Sequence, residues 1–158
     1  KDKKVFLYRN MYIFAFEIPL IMFSKETEYA IRGLVYIQLQ NNKQRRPGLA
    51  EIAKEIDAPP FFTAKILQRL VKQGALSSVK GKGGGFFFTP DQQDLSLLSV
   101  VQLTGGSKSL ESCGIGLKNC DCEHTCPLHE KFAPIRSALN MMVSTESIQS
   151  LAKKYNHE

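Results

Sequence analysis

Reactive side chains are scarce in this chain of 158 residues. Cysteine is absent outside residues 113–129, a stretch that holds all four, and two of the three histidines, His124 and His129, lie there too. A disulfide framework spread through the fold is therefore excluded. No apolar run is long enough to span a bilayer. The most apolar segment, residues 1–21, is interrupted by Glu17 and Pro19, and no small-residue cleavage site follows it. It reads as an N-terminal extension outside the working domain, non-native or loosely ordered. With neither an export signal nor a membrane span, the expected compartment is the cytoplasm, where clustered cysteines are more often metal ligands or redox sensors than disulfides. Also missing are a paired-carboxylate site, a nucleophile with a neighbouring base, and a glycine-rich nucleotide loop ending in Lys-Ser/Thr. No enzyme is expected.

What is present is unevenly charged. The formal charge is +6. From Met22 to Pro90 there are eleven bases against five acids, whereas residues 91–158 carry six bases against eight acids. A basic part followed by a mildly acidic one fits a polyanion-binding unit joined to one for assembly or sensing. The boundaries read as 1–21 for the extension, 22–92 for the basic domain and 93–158 for the remainder.

From Phe23 the pattern is helical. Ser24 is placed to cap the first turn, Glu26 and Glu28 suit its dipole, and Ala30, Ile31, Leu34, Val35 and Ile37 recur at helical spacing. After the loop KQRRPG, Leu49, Ile52, Ala53 and Ile56 predict a helix of two turns. Asp57-Ala58-Pro59-Pro60 ends it, and a proline at the first helical position starts the next. In FFTAKILQRLVKQG, Phe62, Ile66, Leu67, Leu70 and Val71 form the expected buried stripe, while Phe61, Lys65, Gln68 and Lys72 share another face. Gly74 terminates it. Two short helices joined by a tight turn make a helix-turn-helix pattern. ALSSVKGKGGGFFFTP then reads as a strand over Leu76–Val79, a glycine-rich tip flanked by Lys80 and Lys82, and a strand over Phe86–Thr89 closed by Pro90. Gly83, Gly84 and Gly85 would let backbone approach a partner closely. The fold class is thus mainly α with a small β-hairpin wing.

FSKETEYAIRGLVYI, IAKEIDAPPFFTAKILQRLVKQGAL and VKGKGGGFFF resemble the Rrf family of bacterial winged-helix regulators, which includes an iron–sulfur cluster-assembly repressor, a nitric-oxide-sensitive repressor and a cysteine-metabolism repressor. The resemblance runs from Met22 to the C-terminus. It implies a homodimer on a pseudo-palindromic site in double-stranded DNA, with the reader helix in the major groove and the wing in the neighbouring minor groove. The DNA-facing positions it implies are Ser24, Lys25, Pro60, Phe61, Thr63, Lys65, Gln68, Arg69, Lys80 and Lys82. Lysines and arginines would release counterions, the helix N-terminus with Thr63 would bind phosphate, and Lys65 and Gln68 would reach base edges. Lys72 reads as a solvated helix face.

In the remaining part, Ser96 can cap a helix over Leu97–Leu103 with Leu97, Val100 and Val101 inward, ended by Gly105-Gly106. Leu128, Phe132, Ile135, Leu139 and Met142 repeat at intervals of about 3.5, a seam suited to the helix of a two-fold mate. Pro134 predicts a kink in that helix. Ile148, Leu151, Ala152 and Tyr155 mark a last short helix. In the iron–sulfur members that the chain resembles, three spaced cysteines and a histidine surround the cluster. Carried over, the ligands are Cys113, Cys120, Cys126 and His129, with Cys122 as an added thiol that could substitute. The front spacing is one residue longer than the tightest family spacing. Three thiolates and an imidazole suit a 2Fe–2S cluster or zinc, and the lack of Cys-x-x-Cys counts against a zinc ribbon. Lys118 and His124 near the thiols would favour ligation or oxidation. Zinc, bare redox thiols, a disulfide or no site stay open. The combined expectation is a DNA-binding repressor tuned by cluster or thiols. The alternative is an iron–sulfur or thiol redox protein without sequence-specific DNA binding.

Overall fold

The computed structural model describes residues 23–92, 94–111 and 126–155. The described residues form, in order, α1 Lys25–Asn41, α2 Leu49–Glu55, α3 Pro60–Lys72, β1 Ser77–Val79, β2 Gly85–Phe87, α4 Leu97–Leu103, α5 Lys108–Glu111, α6 His129–Thr145 and α7 Ile148–Tyr155. This is the mainly helical winged architecture that the periodicity predicts.

Local chemistry sets most of the boundaries. Ser24 caps α1 by accepting the Thr27 N–H at 3.2 Å, and Glu26 and Glu28 lie in the first turn. At α2's exit, Asp57 takes the left-handed conformation and Ala58 N–H reaches back to the Ala53 carbonyl. Gly74, at φ 75°, then closes α3, with Ala75 N–H on the Leu70 carbonyl. Ser96 caps α4 through the Ser99 N–H at 3.1 Å.

The hairpin is antiparallel, pairing Ser77 with Phe87, Ser78 with Phe86 and Val79 with Gly85. The expected strands were one and two residues too long at Leu76 and at Phe88–Thr89. Leu76 and Phe88 are buried in the core instead, and Pro90 opens a short 3-10 turn through Gln92. Two amide side chains fasten the hairpin. Asn41 at the end of α1 donates to the Arg45 and Phe86 carbonyls and accepts from Phe88 N–H at 3.0 Å. Gln92 donates to the Gly74 carbonyl and accepts from Ser77 and Thr89.

One cluster of buried side chains runs through Ala30, Leu34 and Ile37 of α1, Ile52 of α2, Ile66, Leu67 and Leu70 of α3, and on into Leu97, Val100, Val101, Val143 and Ile148. The boundary drawn between residues 92 and 93 therefore does not separate two cores. Among the described residues the last helix returns to the first: α7 packs on α1, and the buried Gln149 donates to Gln38 at 3.3 Å while accepting from Leu95 N–H at 3.0 Å. Ile148 N–H bonds the Leu95 carbonyl beside an isolated bridge between Ser96 and Ser147. Helix α6 contains Pro134 and is continuous from His129 to Thr145.

Candidate nucleic-acid interface

Helix α3 and the hairpin lie side by side. Between them and the start of α2 opens a groove of about 490 Å³, with Leu49, Gln68, Val71 and Lys72 on one side and Ser78, Val79, Lys80 and Phe86 on the other. Gln68, Lys72 and Lys80 thus share one concavity. Lys72 is exposed, as expected of a solvated helix face, and it also lines this groove. The signal was its place four residues after Gln68 on the face that starts at Phe61.

The start of α3 is built differently from those of α1 and α2. Both α1 and α2 carry acids in their first turns, but α3 has none. Pro59 offers no side-chain cap, and the first N–H groups of a helix have no acceptor inside it. The positive end of α3 is therefore left open to an anion such as a phosphate.

The sequence-predicted positions divide into three groups. Pro60, Phe61, Lys65, Gln68, Lys80 and Lys82 are exposed along α3 and the wing tip, and Ser24 and Lys25 are exposed at the start of α1. Lys25 is paired with Glu28 at 2.7 Å, and that hydrogen bond raises its pKa above the ordinary lysine range, so the ammonium stays charged. Thr63 is a correction: it is only 2% exposed, and its hydroxyl donates to the Pro59 carbonyl at 3.1 Å. Residues 63, 66, 67 and 70 are the buried stripe of α3, so the hydroxyl points inward and is satisfied one turn back. Arg69 is half-buried and ion-paired with Glu26, which binds α3 to the first turn of α1.

Gly85, at φ 146°, lies against the loop before α2; a Cβ there would stand 2.4 Å from the Arg46 carbonyl oxygen. Its close approach is to the chain's own backbone, and Phe86 N–H bonds the Pro47 carbonyl next to it. Arg46 itself, unassigned from sequence, lays its guanidinium 4.3 Å from the centre of the Phe87 ring.

Of the sulfur site, Cys113, Cys120 and Cys122 lie outside the described residues. Cys126 is buried at 8% exposure, and its carbonyl accepts the N–H of His129, the first residue of α6, at 2.9 Å. A soft thiol and an imidazole thus stand within one turn, a donor pair that suits a thiolate-bound metal centre. Among the described residues no three of His, Cys, Asp and Glu come together, two of the four expected donors, Cys113 and Cys120, lying outside them. Along α6, Leu128, Ile135 and Met142 are exposed, Ile135 at 63%, while Phe132 and Leu139 are half-buried. Among the described residues no helix is long and apolar enough to cross a membrane.

With this geometry in place, comparison with known proteins decides the family. The model of the Rrf2 family, described as an iron-dependent transcriptional regulator, matches residues 23–154. The chain belongs to the Rrf2 family. A protein of Aquifex aeolicus described as an HTH-type transcriptional regulator is 29% identical over 133 residues, covering 83% of this chain and 91% of its own. Protein aau3 of Rhizobium meliloti is 32% identical over 118 residues, 74% and 73% of the two chains. The solved structure of CymR, the global cysteine regulator of B. subtilis, shares the fold with a TM-score of 0.65 over 83% of this chain and 95% of that one, at 16% identity. This Rrf2 chain is accordingly a DNA-binding transcription regulator and not an enzyme.

Proposed function

We propose that this Rrf2 regulator is a cytoplasmic homodimeric repressor that binds a pseudo-palindromic operator in double-stranded DNA, tuned by a 2Fe–2S cluster or by oxidation of its thiols. The observation that carries the DNA reading is the groove in which Gln68 and Lys72 of α3 face Lys80 of the wing. Lys65, Lys72, Lys80 and Lys82 supply the phosphate charge, and Gln68 has the donor and acceptor that a base edge requires. Ser24, Lys25 and the open end of α3 add backbone contacts. Arg69 serves through Glu26, fixing the angle at which α3 leaves the body.

Cys126 and His129, joined by Cys113 and Cys120 or by Cys122, would hold the cluster. When bound, it supplies a redox-labile centre whose loss changes what the segment can hold. The cysteine segment leaves α5 and enters α6. These helices are tied together by Asn140, which donates to the Leu110 carbonyl at 3.2 Å. A rearrangement of the segment therefore acts on the base of α6, whose exposed Leu128, Ile135 and Met142 form the seam to the second copy, and so on the spacing of the two readers.

The test uses protein purified without oxygen, with visible absorption and iron content measured. DNA enriched by it from a random duplex pool is then titrated against cluster-loaded and cluster-free protein. Sequence-dependent binding that differs between the two forms is expected. Equal affinity for both forms would overturn the sensor part, and enrichment of no sequence would overturn the reader.

A further inference from the structure

Two consecutive phenylalanines at the start of α3 part company. Phe62 turns inward and meets the Tyr29 ring edge-on with centroids 6.0 Å apart. Phe61 stands in solvent at 85% exposure, the largest value among the exposed apolar side chains described. Nothing local obliges it to stand there. As the second residue of a helix that has no side-chain cap, the position accepts any small or polar residue. An aromatic ring held out from the core at a helix end is therefore a contact surface waiting for an apolar partner.

What lies around Phe61 identifies the partner. Lys65 is four residues on and Gln68 seven, both exposed on the same face, with the groove and Lys80 beyond. Phe61 is thus the leading residue of the polyanion-facing surface, ahead of the side chains that reach phosphates and base edges. The N-terminal residues of a recognition helix are those that meet base edges in the major groove. In that groove the one apolar group a base pair presents is the C5-methyl of thymine. A ring beside a polar edge would desolvate it without return, whereas a ring beside a methyl gains burial on both sides. Phe61 and Gln68 are about 10 Å apart along the axis at 1.5 Å per residue, the length of roughly three base-pair steps.

We infer that Phe61 is a specificity-determining residue that reads thymine by packing its ring on the C5-methyl group, about three base pairs from the base that Gln68 faces. This rests on the reader role of α3 proposed above. It adds what that role leaves open, an apolar component of sequence choice at a defined place in each half-site.

The test removes the methyl and nothing else. Duplexes enriched from a random pool by the wild-type protein are resynthesised with deoxyuridine replacing thymidine one position at a time, and binding is followed by fluorescence anisotropy. At one position per half-site the wild type is expected to weaken about fourfold, the value of one buried methyl. Phe61→Ala binds more weakly overall and shows no uracil penalty there, while Phe61→Leu keeps part of it. Thermal unfolding of both variants is expected to match the wild type, since the ring touches solvent. The inference is overturned if no thymine is methyl-sensitive, or if Phe61→Ala retains the same penalty. A change of sedimenting mass in Phe61→Ala together with an unchanged methyl effect would overturn it too, assigning the ring to protein contact. If the pool yields no enriched sequence, the reader role itself fails, a result distinct from enriched DNA without methyl sensitivity.

Discussion

Thr27 and Thr104 share a hydrogen bond of 2.7 Å between side chains that are both buried and 77 residues apart. The direction of this bond can be worked out. Thr104 Oγ1 lies 2.8 Å from the Val100 carbonyl, which can only accept, so its hydrogen goes there and the Thr27 hydroxyl donates to Thr104. Thr27 Oγ1 is then free to accept from Ser24 Oγ at 3.0 Å, while Ser24 Oγ accepts the Thr27 N–H. A directed chain of hydroxyls thus runs from the exposed cap of α1 to the end of α4. Gly106 follows on its far side, where a Cβ would come within 2.8 Å of Thr27 Oγ1. The segment after α4 leads to α5 and toward the cysteines, so the cap of α1 is physically joined to that segment.

Thr104→Val is expected to destabilise the fold by about 1–3 kcal/mol, because it leaves the buried Thr27 hydroxyl without its acceptor. The Val100 carbonyl keeps its helical partner, Thr104 N–H, in either case. Combining Thr27→Val with Thr104→Val should recover part of the loss, since no unpaired donor remains. Urea unfolding of the two single variants and the double variant checks this; additive losses would show that the two hydroxyls do not act as a pair.

Arg69 and Lys65 are predicted to separate structure from binding. Replacing Arg69 by methionine breaks its ion pair with Glu26, which at this partial exposure is worth up to about 1 kcal/mol of stability. The salt dependence of DNA binding should keep its slope. Lys65→Ala leaves stability unchanged and lowers the slope of log affinity against log salt by about one for each copy bound. Salt titrations of both variants decide the assignment, and a reduced slope for the Arg69 variant would return that residue to the DNA face.

How much of this was legible in the sequence follows from how local each cause is. Ser24, Gly74 and Ser96 act on their own helix ends, and their roles could be read directly. Thr63, a DNA-facing position in the family resemblance, lies in the buried stripe because of its spacing from Ile66, Leu67 and Leu70. Phe62, expected in that stripe, is half-buried at its edge. The strand ends slipped because Leu76 and Phe88 are apolar for the core, not for the hairpin. The Asn41 clasp, the contact between Gly85 and the Arg46 carbonyl, and the Gln38–Gln149 bond join positions far apart in the chain, so no window of sequence contains them. Lys72 gained its meaning only when the hairpin folded beside it.

Gly85 gives a sharper test of the wing than its lysines do. Gly81→Ala at the tip meets open space and bears only the backbone cost of φ 93°, on the order of 1 kcal/mol. Gly85→Ala adds a collision with the Arg46 and Pro47 carbonyls and so must push the hairpin off the loop before α2. Its cost is expected to exceed that of Gly81→Ala by roughly 1–3 kcal/mol. DNA affinity should fall with it, because Lys80 and Lys82 ride on the displaced hairpin. Equal unfolding midpoints for the two variants would mean that the hairpin is not fixed by this contact.

Ile135 tests the seam on α6. At 63% exposure it contributes little to the core of one copy, so Ile135→Glu should leave the unfolding free energy of the single chain within about 0.5 kcal/mol of the wild type. A carboxylate at the centre of an apolar seam, however, must lose its water when a second copy docks. Dimer affinity is expected to drop on the order of thirtyfold or more, as for a central contact residue. Sedimentation would then find a monomer at concentrations where the wild type is a dimer. A monomer reads one half-site at a time, so binding to a two-half-site duplex should lose its cooperativity while binding to a single half-site is unchanged. Should Ile135→Glu sediment as the wild type does, the seam lies elsewhere, and the second exposed run at Met141 becomes the surface to change next.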